Sequence, residues 1–174
     1  MGLSSRVARV RGAAVVAAVA VGAALTGAAP AQAVDYFKVV AEHSRKCLDV
    51  RHASVAHGAP VIQGDCWNGA NQLWRLVRMD NGYYQIRVKH TDKCLDVAHA
   101  SRAHAAPVVQ ADCWGGANQA WWLLRLSPGY YELRAQHSNM CLDVKHSSIA
   151  HDTPVVQGNC SGFDNQHWRF ESVR

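Results

Sequence analysis

One feature limits the fold of this chain more than any other: residues 34–174 are three copies of one 47-residue unit. The segments 34–80, 81–127 and 128–174 align without insertion or deletion, and seventeen of the 47 columns are identical in all three copies. Because such self-similarity is far beyond chance, the repeat must be the structural unit. Below, these segments are called the first, second and third copy.

Each copy has the short alternating patterns of β-strands and no sustained helical period. In the second copy, the strand candidates are residues 83–88, 94–97, 107–110 and 120–123, separated by Gly, Asn, Asp, Ser and Pro. The pattern predicts an all-β fold with about four short strands per copy and about twelve in all. Since open solenoids need altered capping repeats and these copies are equally regular, we expect closure around a pseudo-threefold axis.

Residues 1–33 have the pattern of a secretory signal peptide. An uncharged apolar run over 13–25 precedes Ala-Gln-Ala at 31–33, a sequence that signal peptidase accepts. The basic start of the leader is formed by Arg6, Arg9 and Arg11. The alternative is a retained membrane anchor, but the Ala, Val and Gly of this run partition weakly into lipid. We therefore expect a secreted, extracellular protein, residues 34–174, without stable membrane insertion after cleavage.

The net charge does not indicate a nucleic-acid partner. The chain has 18 basic and 13 acidic residues, a formal charge of +5. Without the three leader arginines, 15 basic residues stand against 13 acidic ones, which leaves +2. Nucleic-acid binding needs a strong basic patch, so we expect no nucleic-acid partner.

The six cysteines fall two to a copy. An even number in an exported chain indicates disulfides, and equivalent copies require the same link in each. The expected bonds are Cys47–Cys66, Cys94–Cys113 and Cys141–Cys160. Zinc sites need clustered thiolates, which this spacing does not supply, so we expect no metal and no cofactor.

Two motifs recur in register in all three copies. Cys-Leu-Asp-Val stands at 47–50, 94–97 and 141–144, and Gln-x-Trp stands at 72–74, 119–121 and 166–168. Together they resemble the ricin B-type lectin domains, also called family 13 carbohydrate-binding modules, over the whole of 34–174. The resemblance implies a β-trefoil with a shallow sugar site in each of three lobes. We therefore expect a monomeric, non-enzymatic protein that binds poly- or oligosaccharide multivalently.

The resemblance also implies which polar residues bind sugar. The Asp of Cys-Leu-Asp-Val can accept hydrogen bonds from two neighbouring hydroxyls, and the Asn before Gln-x-Trp can both donate and accept. The candidate pairs are Asp49 with Asn71, Asp96 with Asn118, and Asp143 with Asn165. The alternative is that these Asp side chains only satisfy loop amides.

The aromatic platform of the family, two residues before the second Cys, is missing from every copy. Its positions hold Gly64, Ala111 and Gly158. Trp67 and Trp114 directly follow the second Cys, and we expect these indoles to replace the missing face. The third copy has Ser161 there, with Phe163 two residues on. If indole stacking is essential, the first two lobes bind sugar better than the third.

Different roles are expected for the Gln-x-Trp motif. Its tryptophans alternate with apolar neighbours, so Trp74, Trp121 and Trp168 are predicted to form the central core. Its glutamines are predicted to serve backbone groups at the edge of that core, namely Gln72, Gln119 and Gln166.

Nine of the ten histidines fall in three columns of the repeat. Three lie three residues after the sugar Asp and are candidate ligand contacts: His52, His99 and His146. Three precede a Pro-containing turn and are expected to be solvated loop residues: His57, His104 and His151. The remaining three open the strand before the first Cys and are expected to be structural: His43, His90 and His137.

Two other functions compete with sugar binding as interpretations of the sequence. Catalysis needs groups with different pKa values, yet every Asp and His of the repeat recurs in the same surroundings, and no hydrolase or phosphate-loop motif occurs. We expect no enzyme. The alternative is a protein-binding trefoil, such as a secreted hydrolase inhibitor with degenerate sugar sites. Such inhibitors act through one specialised loop, and no loop here is longer than its counterparts.

Overall fold

The computed structural model describes residues 1–2, 35–126 and 128–173. Nearly all of them belong to one compact unit, Ala33–Arg174. Apart from its first two residues, the expected signal peptide lies outside the described residues. Within the described part of the chain, no helix is long and apolar enough to cross a membrane.

The described residues form an all-β structure of twelve strands, as the repeat predicts. The strands are β1 (Phe37–Ala41), β2 (Cys47–Val50), β3 (Ala59–Gly64), β4 (Leu73–Arg78), β5 (Tyr84–Val88), β6 (Cys94–Val97), β7 (Val108–Ala111), β8 (Trp121–Arg125), β9 (Tyr131–Ala135), β10 (Cys141–Val144), β11 (Thr153–Gly158) and β12 (His167–Ser172). In the second copy, β6 has the predicted bounds, and the other three strands begin one residue later than predicted.

Six strands close into a ring. The ring runs β1–β4–β5–β8–β9–β12 and returns to β1, with every pairing antiparallel. Its longest pairings join strands of different copies: β1 to β12, β4 to β5 and β8 to β9. The other six strands form three hairpins, β2–β3, β6–β7 and β10–β11. The ring has no free edge, and pairing between copies closes it.

The core contains the three Gln-x-Trp tryptophans. Trp74, Trp121 and Trp168 are fully buried. Their indole N–H groups donate to the carbonyls of Leu48, Leu95 and Leu142 at 2.9, 3.0 and 2.9 Å. Each of these leucines belongs to a Cys-Leu-Asp-Val strand, so the bond joins the two motifs of one copy inside the core.

Three disulfides lie at the hairpins. They join Cys47 to Cys66, Cys94 to Cys113, and Cys141 to Cys160, the pairing that the repeat predicts. Each links the start of a Cys-Leu-Asp-Val strand to the loop after its partner strand, 19 residues later. A loop of this size is worth about 3 kcal/mol through the unfolded state.

A buried glutamine fastens each copy to a loop of the preceding one. The Gln110 side-chain amide donates to the carbonyls of Ser54 and Ala56 at 2.7 and 2.9 Å, and its oxygen accepts from the Thr91 hydroxyl at 2.9 Å. The half-buried His90 ring also contacts the Ser54 carbonyl, at 2.9 Å. The loop 54–58 of the first copy is therefore held against the second copy.

The other two junctions have the same hydrogen bonds. Gln157 and His137 hold the loop at Ser101, and Gln63 and His43 hold the loop at Ser148. The third copy is thereby joined to the first, so the set of junctions closes. His43, His90 and His137 have the structural surroundings expected for them.

Replacing one of these glutamines should destabilise the fold. Gln110→Met keeps most of the buried volume but leaves the carbonyls of Ser54 and Ala56 without this donor. We expect a loss of about 1–3 kcal/mol, since the hydrogen bonds of a fully buried side chain to the loop are removed. Denaturant unfolding with the disulfides intact measures this. The control, Gln136→Met, changes an exposed glutamine and should stay within about 0.5 kcal/mol. Equal losses would contradict the role of the junction.

Candidate functional site

Each Asp of the Cys-Leu-Asp-Val strands lies at the floor of a surface cavity. The first cavity, at Asp49, has a volume of about 500 Å³. The second cavity, at Asp96, and the third cavity, at Asp143, each measure about 360 Å³. Each of these volumes is enough for a small ligand.

Two side-chain amides hold the Asp at each floor. In the second cavity, Asp96 is 4% exposed and accepts hydrogen bonds from Asn118 at 2.9 Å and from Gln119 at 2.8 Å. The first cavity has 2.7 and 2.6 Å from Asn71 and Gln72, and the third has 3.0 and 2.5 Å from Asn165 and Gln166. Each carboxylate oxygen accepts one such bond and has a second lone pair for another donor.

The Gln of Gln-x-Trp has a larger role than expected. Gln119 donates to the Asp112 carbonyl at 2.8 Å and accepts from the Trp114 backbone N–H at 3.0 Å, so it serves backbone groups as anticipated. It also donates to Asp96, a contact that the sequence analysis missed. This one side chain therefore ties the loop after the second Cys to the floor of the cavity.

Two of the three positions of the missing aromatic platform lie directly against the floor carboxylates. A Cβ at Gly64 would lie 2.8 Å from Asp49 Oδ2, and one at Gly158 would lie 2.5 Å from Asp143 Oδ2. Ala111, the third of these positions, is 4% exposed. The small residues at these positions leave room for the carboxylate at the floor of the cavity.

An exposed aromatic ring lines every cavity. Trp67 lines the first cavity and Trp114 the second, and about two thirds of each side chain is exposed. A Cβ at Gly69 or Gly116, two residues later, would overlap the indole ring. Each indole therefore lies across the glycine of its own loop.

In the third cavity the aromatic ring comes from a different column of the repeat. Ser161 occupies the column of Trp67 and Trp114, and Phe163 occupies the column of Gly69 and Gly116. Phe163 is 67% exposed and lines the third cavity. Phe163 was not among the residues predicted to form the site. The third cavity also has an aromatic side, so lack of a ring gives no reason for weaker binding there.

Two histidines line each cavity, and they come from different copies. His52, His99 and His146 line the cavity of their own copy. His57, His104 and His151 line the second, third and first cavity, respectively. The second set is exposed in loops, as expected, and it also lines the cavities. The glutamine junctions carry these loops to the neighbouring cavity.

The ring of each second-set histidine has one engaged nitrogen. Nδ1 of His57 accepts from the Asp112 backbone N–H at 3.3 Å, and Nδ1 of His151 accepts from that of Asp65 at 3.2 Å. His104 has the same contact with Asn159 at 3.4 Å. In the neutral ring the proton is then on Nε2, which is available as a donor.

Two further polar atoms lack a partner. Asn118 Oδ1 and Asn165 Oδ1 are buried and have no hydrogen-bond partner among the described residues. Both side chains belong to cavity walls. An unpaired buried acceptor costs about 1–3 kcal/mol, so these atoms favour the arrival of a donor.

Burial shapes the electrostatics of the floor. It raises the pKa of Asp49, Asp96 and Asp143 above 3.8, and the bonds from Gln and Asn oppose this in part. The exposed Asp65 and Asp112 shift the other way. Hydrogen bonds from Lys46 and Lys93 lower their pKa below 3.8. Keeping the floor carboxylates ionised therefore costs free energy in the folded protein, as is common for binding groups.

The fold and the three cavities define a β-trefoil binding domain. Residues 35–168 match the model of the ricin-type beta-trefoil lectin domain. The chain therefore belongs to the ricin-type β-trefoil lectin family, whose domains bind carbohydrate. A search of curated proteins found no match.

Solved structures of the same fold include a designed and a natural relative. The designed 3-fold symmetric protein ThreeFoil is 46% identical, with a TM-score of 0.78 over 79% of this chain and 99% of its own. The exo-beta-1,3-galactanase 1,3Gal43A from Clostridium thermocellum is 30% identical, with a TM-score of 0.79 over 83% of this chain and 31% of its own. In that enzyme the similar region is one part of a longer chain.

A third structure supports the fold alone. The Rhizoctonia solani agglutinin is 20% identical, with a TM-score of 0.73 over 84% of this chain and all of its own.

The two groups of carboxyls should titrate apart. Because the folded pKa of the floor Asp residues is raised, the native state binds their protons more tightly than the unfolded state does. Their favourable contribution to stability is complete below the unfolded pKa and is lost as pH rises through the raised value. Carboxyl-carbon NMR should give midpoints above 3.8 for Asp49, Asp96 and Asp143, and below 3.8 for Asp65 and Asp112. The reverse order would contradict the buried floor.

Proposed function

We propose that residues 34–174 are an exported, monomeric, non-enzymatic lectin with up to three sugar pockets in equivalent positions around a pseudo-threefold axis. One observation carries the proposal: an Asp held by two amides lies beside an exposed aromatic ring in each of three cavities, and this Asp is buried in the first two and half-buried in the third. The three 47-residue copies each supply one such floor. Three disulfides are typical of an oxidising compartment and support export.

The geometry of each cavity suits a pyranose. The spare lone pairs of the Asp accept two adjacent hydroxyls, and charge-assisted bonds of this kind are the stronger ones. Asn118 lines the second cavity and holds the carboxylate in place for this contact. The indole face of Trp114 covers the C–H patch of the sugar. The site residues are therefore the Asp, the Asn, the aromatic ring and the paired histidines of each cavity.

The exchange of aromatic positions supports three working pockets. A copy with Trp has glycine two residues later, whereas the copy with Phe163 has Ser161 in the tryptophan's place. The ring is kept in each case, and its neighbour is small. Three shallow pockets on one polysaccharide can raise overall avidity by about 10² or more where the geometry fits.

Removing a ring should weaken binding at one pocket. The mature protein should bind one or more glycans on an array. For a glycan so identified, Trp114→Ala and Phe163→Ala should each lower the affinity of the altered pocket about five- to tenfold. The reason is the loss of roughly 40–60 Å² of apolar contact. Calorimetry with the soluble oligosaccharide should resolve the weakened site.

Trp122→Ala is the matched control for these variants. Trp122 is 46% exposed and packs against Tyr83 with ring centroids 5.8 Å apart, away from the three Asp cavities. Its replacement should leave sugar affinity unchanged. An array with no glycan bound, or equal losses in all three variants, would contradict the proposed pockets.

The histidines allow a test of the composite cavities. His57→Ala should weaken binding about two- to tenfold at the second cavity, because His57 of the first copy lines that cavity. The indole N–H signal of Trp114 in a sugar titration reports that cavity, and the signal of Trp67 reports the first. His52→Ala, the matched variant, should act on the first cavity instead. If His57→Ala weakens only the first cavity, the composite arrangement is wrong.

A further inference from the structure

The three cavities share one floor but differ in the charge at their rims. The residue after Cys-Leu-Asp-Val lines each cavity, and it is Arg51 in the first, Ala98 in the second and Lys145 in the third. Because the backbone of this turn is the same in all three copies, the difference lies in the side chain.

In the first cavity the cation has a partner. Arg51 Nε lies 2.7 Å from Asp152 Oδ1, and the same guanidinium donates to the Asp152 carbonyl at 3.1 Å. Asp152 reaches this cavity from the loop that Gln63 holds. The first rim therefore carries a compensated pair, and the second rim, with Ala98 and Gly58, carries no charge at these positions.

In the third cavity the cation has lost that partner. The column of Asp152 holds Ala105 there, which lines the cavity beside Lys145. Among the described residues, no carboxylate lies within ion-pair distance of Lys145. The ammonium group is thus left at the rim without compensation.

A second acidic residue is lost at the same place. Asp112 lies 3.3 Å from His57, and Asp65 lies 3.4 Å from His151. The corresponding neighbour of His104 is Asn159. Met140 replaces Lys46 and Lys93, the lysines that pair with Asp65 and Asp112, so the whole ion pair is absent from the third copy.

The remaining acidic groups do not compensate Lys145. Of the residues that the structure describes, Asp143 is the one carboxylate that lines the third cavity, and all three floors share this charge. Asp164, next to Phe163, lines a neighbouring groove and faces His167 at 3.7 Å. When the charges of the floor Asp and of the rim residues are summed, the first two cavities each carry a net charge of about −1. The third cavity is about neutral, with the unpaired cation at its edge.

We propose that the third cavity binds a carboxylate-bearing sugar, such as a hexuronic acid, while the first and second cavities take neutral sugars. The inference rests on the proposed function, because it assigns ligand chemistry to one of its pockets. Lys145 donates to the sugar carboxylate, and His104 stands opposite it without an acidic neighbour. A polysaccharide with neutral and acidic residues would then engage one molecule through unlike pockets.

The expected preference is modest because the rim is solvated. Exposed charge pairs contribute little, so the third cavity should favour the acid over its neutral methyl ester about three- to fivefold at low salt. The preference should shrink at high salt. The first two cavities should favour the ester slightly or not discriminate.

One titration separates the cavities in the unaltered protein. A uronic-acid oligosaccharide and its methyl ester are titrated in turn, with NMR signals from the Trp67 and Trp114 indoles and the Ser161 backbone amide. These signals report the first, second and third cavity, respectively. Lys145→Ala, which recreates the residue of the second cavity, should abolish the preference at Ser161. Ala98→Lys should create one at Trp114.

The outcomes separate this proposal from the proposed function. Equal ratios of acid to ester affinity in all three cavities would overturn the acidic-sugar assignment and leave the lectin proposal standing. A preference at Ser161 that survives Lys145→Ala would also overturn it. Absence of any shift with either compound, together with an empty glycan array, would overturn both.

Discussion

The buried side-chain amides of Gln63, Gln110 and Gln157 make the contacts on which the arrangement of the three cavities depends. Each is fully buried and donates two hydrogen bonds to a loop of the preceding copy. Breaking these bonds is costly, since the fully buried glutamine amide would be left without a partner. The loops are therefore fixed in place, and each delivers a histidine to a cavity whose floor belongs to another copy. One 47-residue unit alone has only part of a cavity.

The Gln-x-Trp motif joins stability to the site within each copy. Its Trp fills the core and bonds a leucine carbonyl of the Cys-Leu-Asp-Val strand, while its Gln bonds the Asp of the same strand. Gln119 lies in the turn before β8, whereas Trp121 is the first residue of β8. Core packing thus sets the position of the floor carboxylate, whose burial raises its pKa.

Much of the fold could be predicted from the sequence because the repeat reduces three problems to one. A strand pattern seen three times in register predicted the twelve strands, and equivalence of the copies predicted the disulfides. The site contacts that were not predicted also have their reason in the alignment of the three copies. Comparing copies places His57 beside His104 and His151 in one column, but it does not show that each loop reaches the next cavity.

The aromatic ring of the third cavity was missed for a related reason. Trp67 and Phe163 stand in different columns, and only the structure shows that both columns face the cavity. The overlap between the Trp67 ring and a Cβ at Gly69 is what connects the two columns physically. The second role of the glutamine could not be predicted either, since a backbone partner and a carboxylate partner require the same residue type.

A crystal structure of the protein with a bound oligosaccharide is the most direct test of the proposed pockets. We predict that sugar hydroxyls donate to the Asp96 carboxylate and that the face of the sugar ring packs against Trp114. We also predict that His57 of the first copy lies within hydrogen-bond distance of that sugar. A sugar bound outside the three cavities, with these groups untouched, would contradict it.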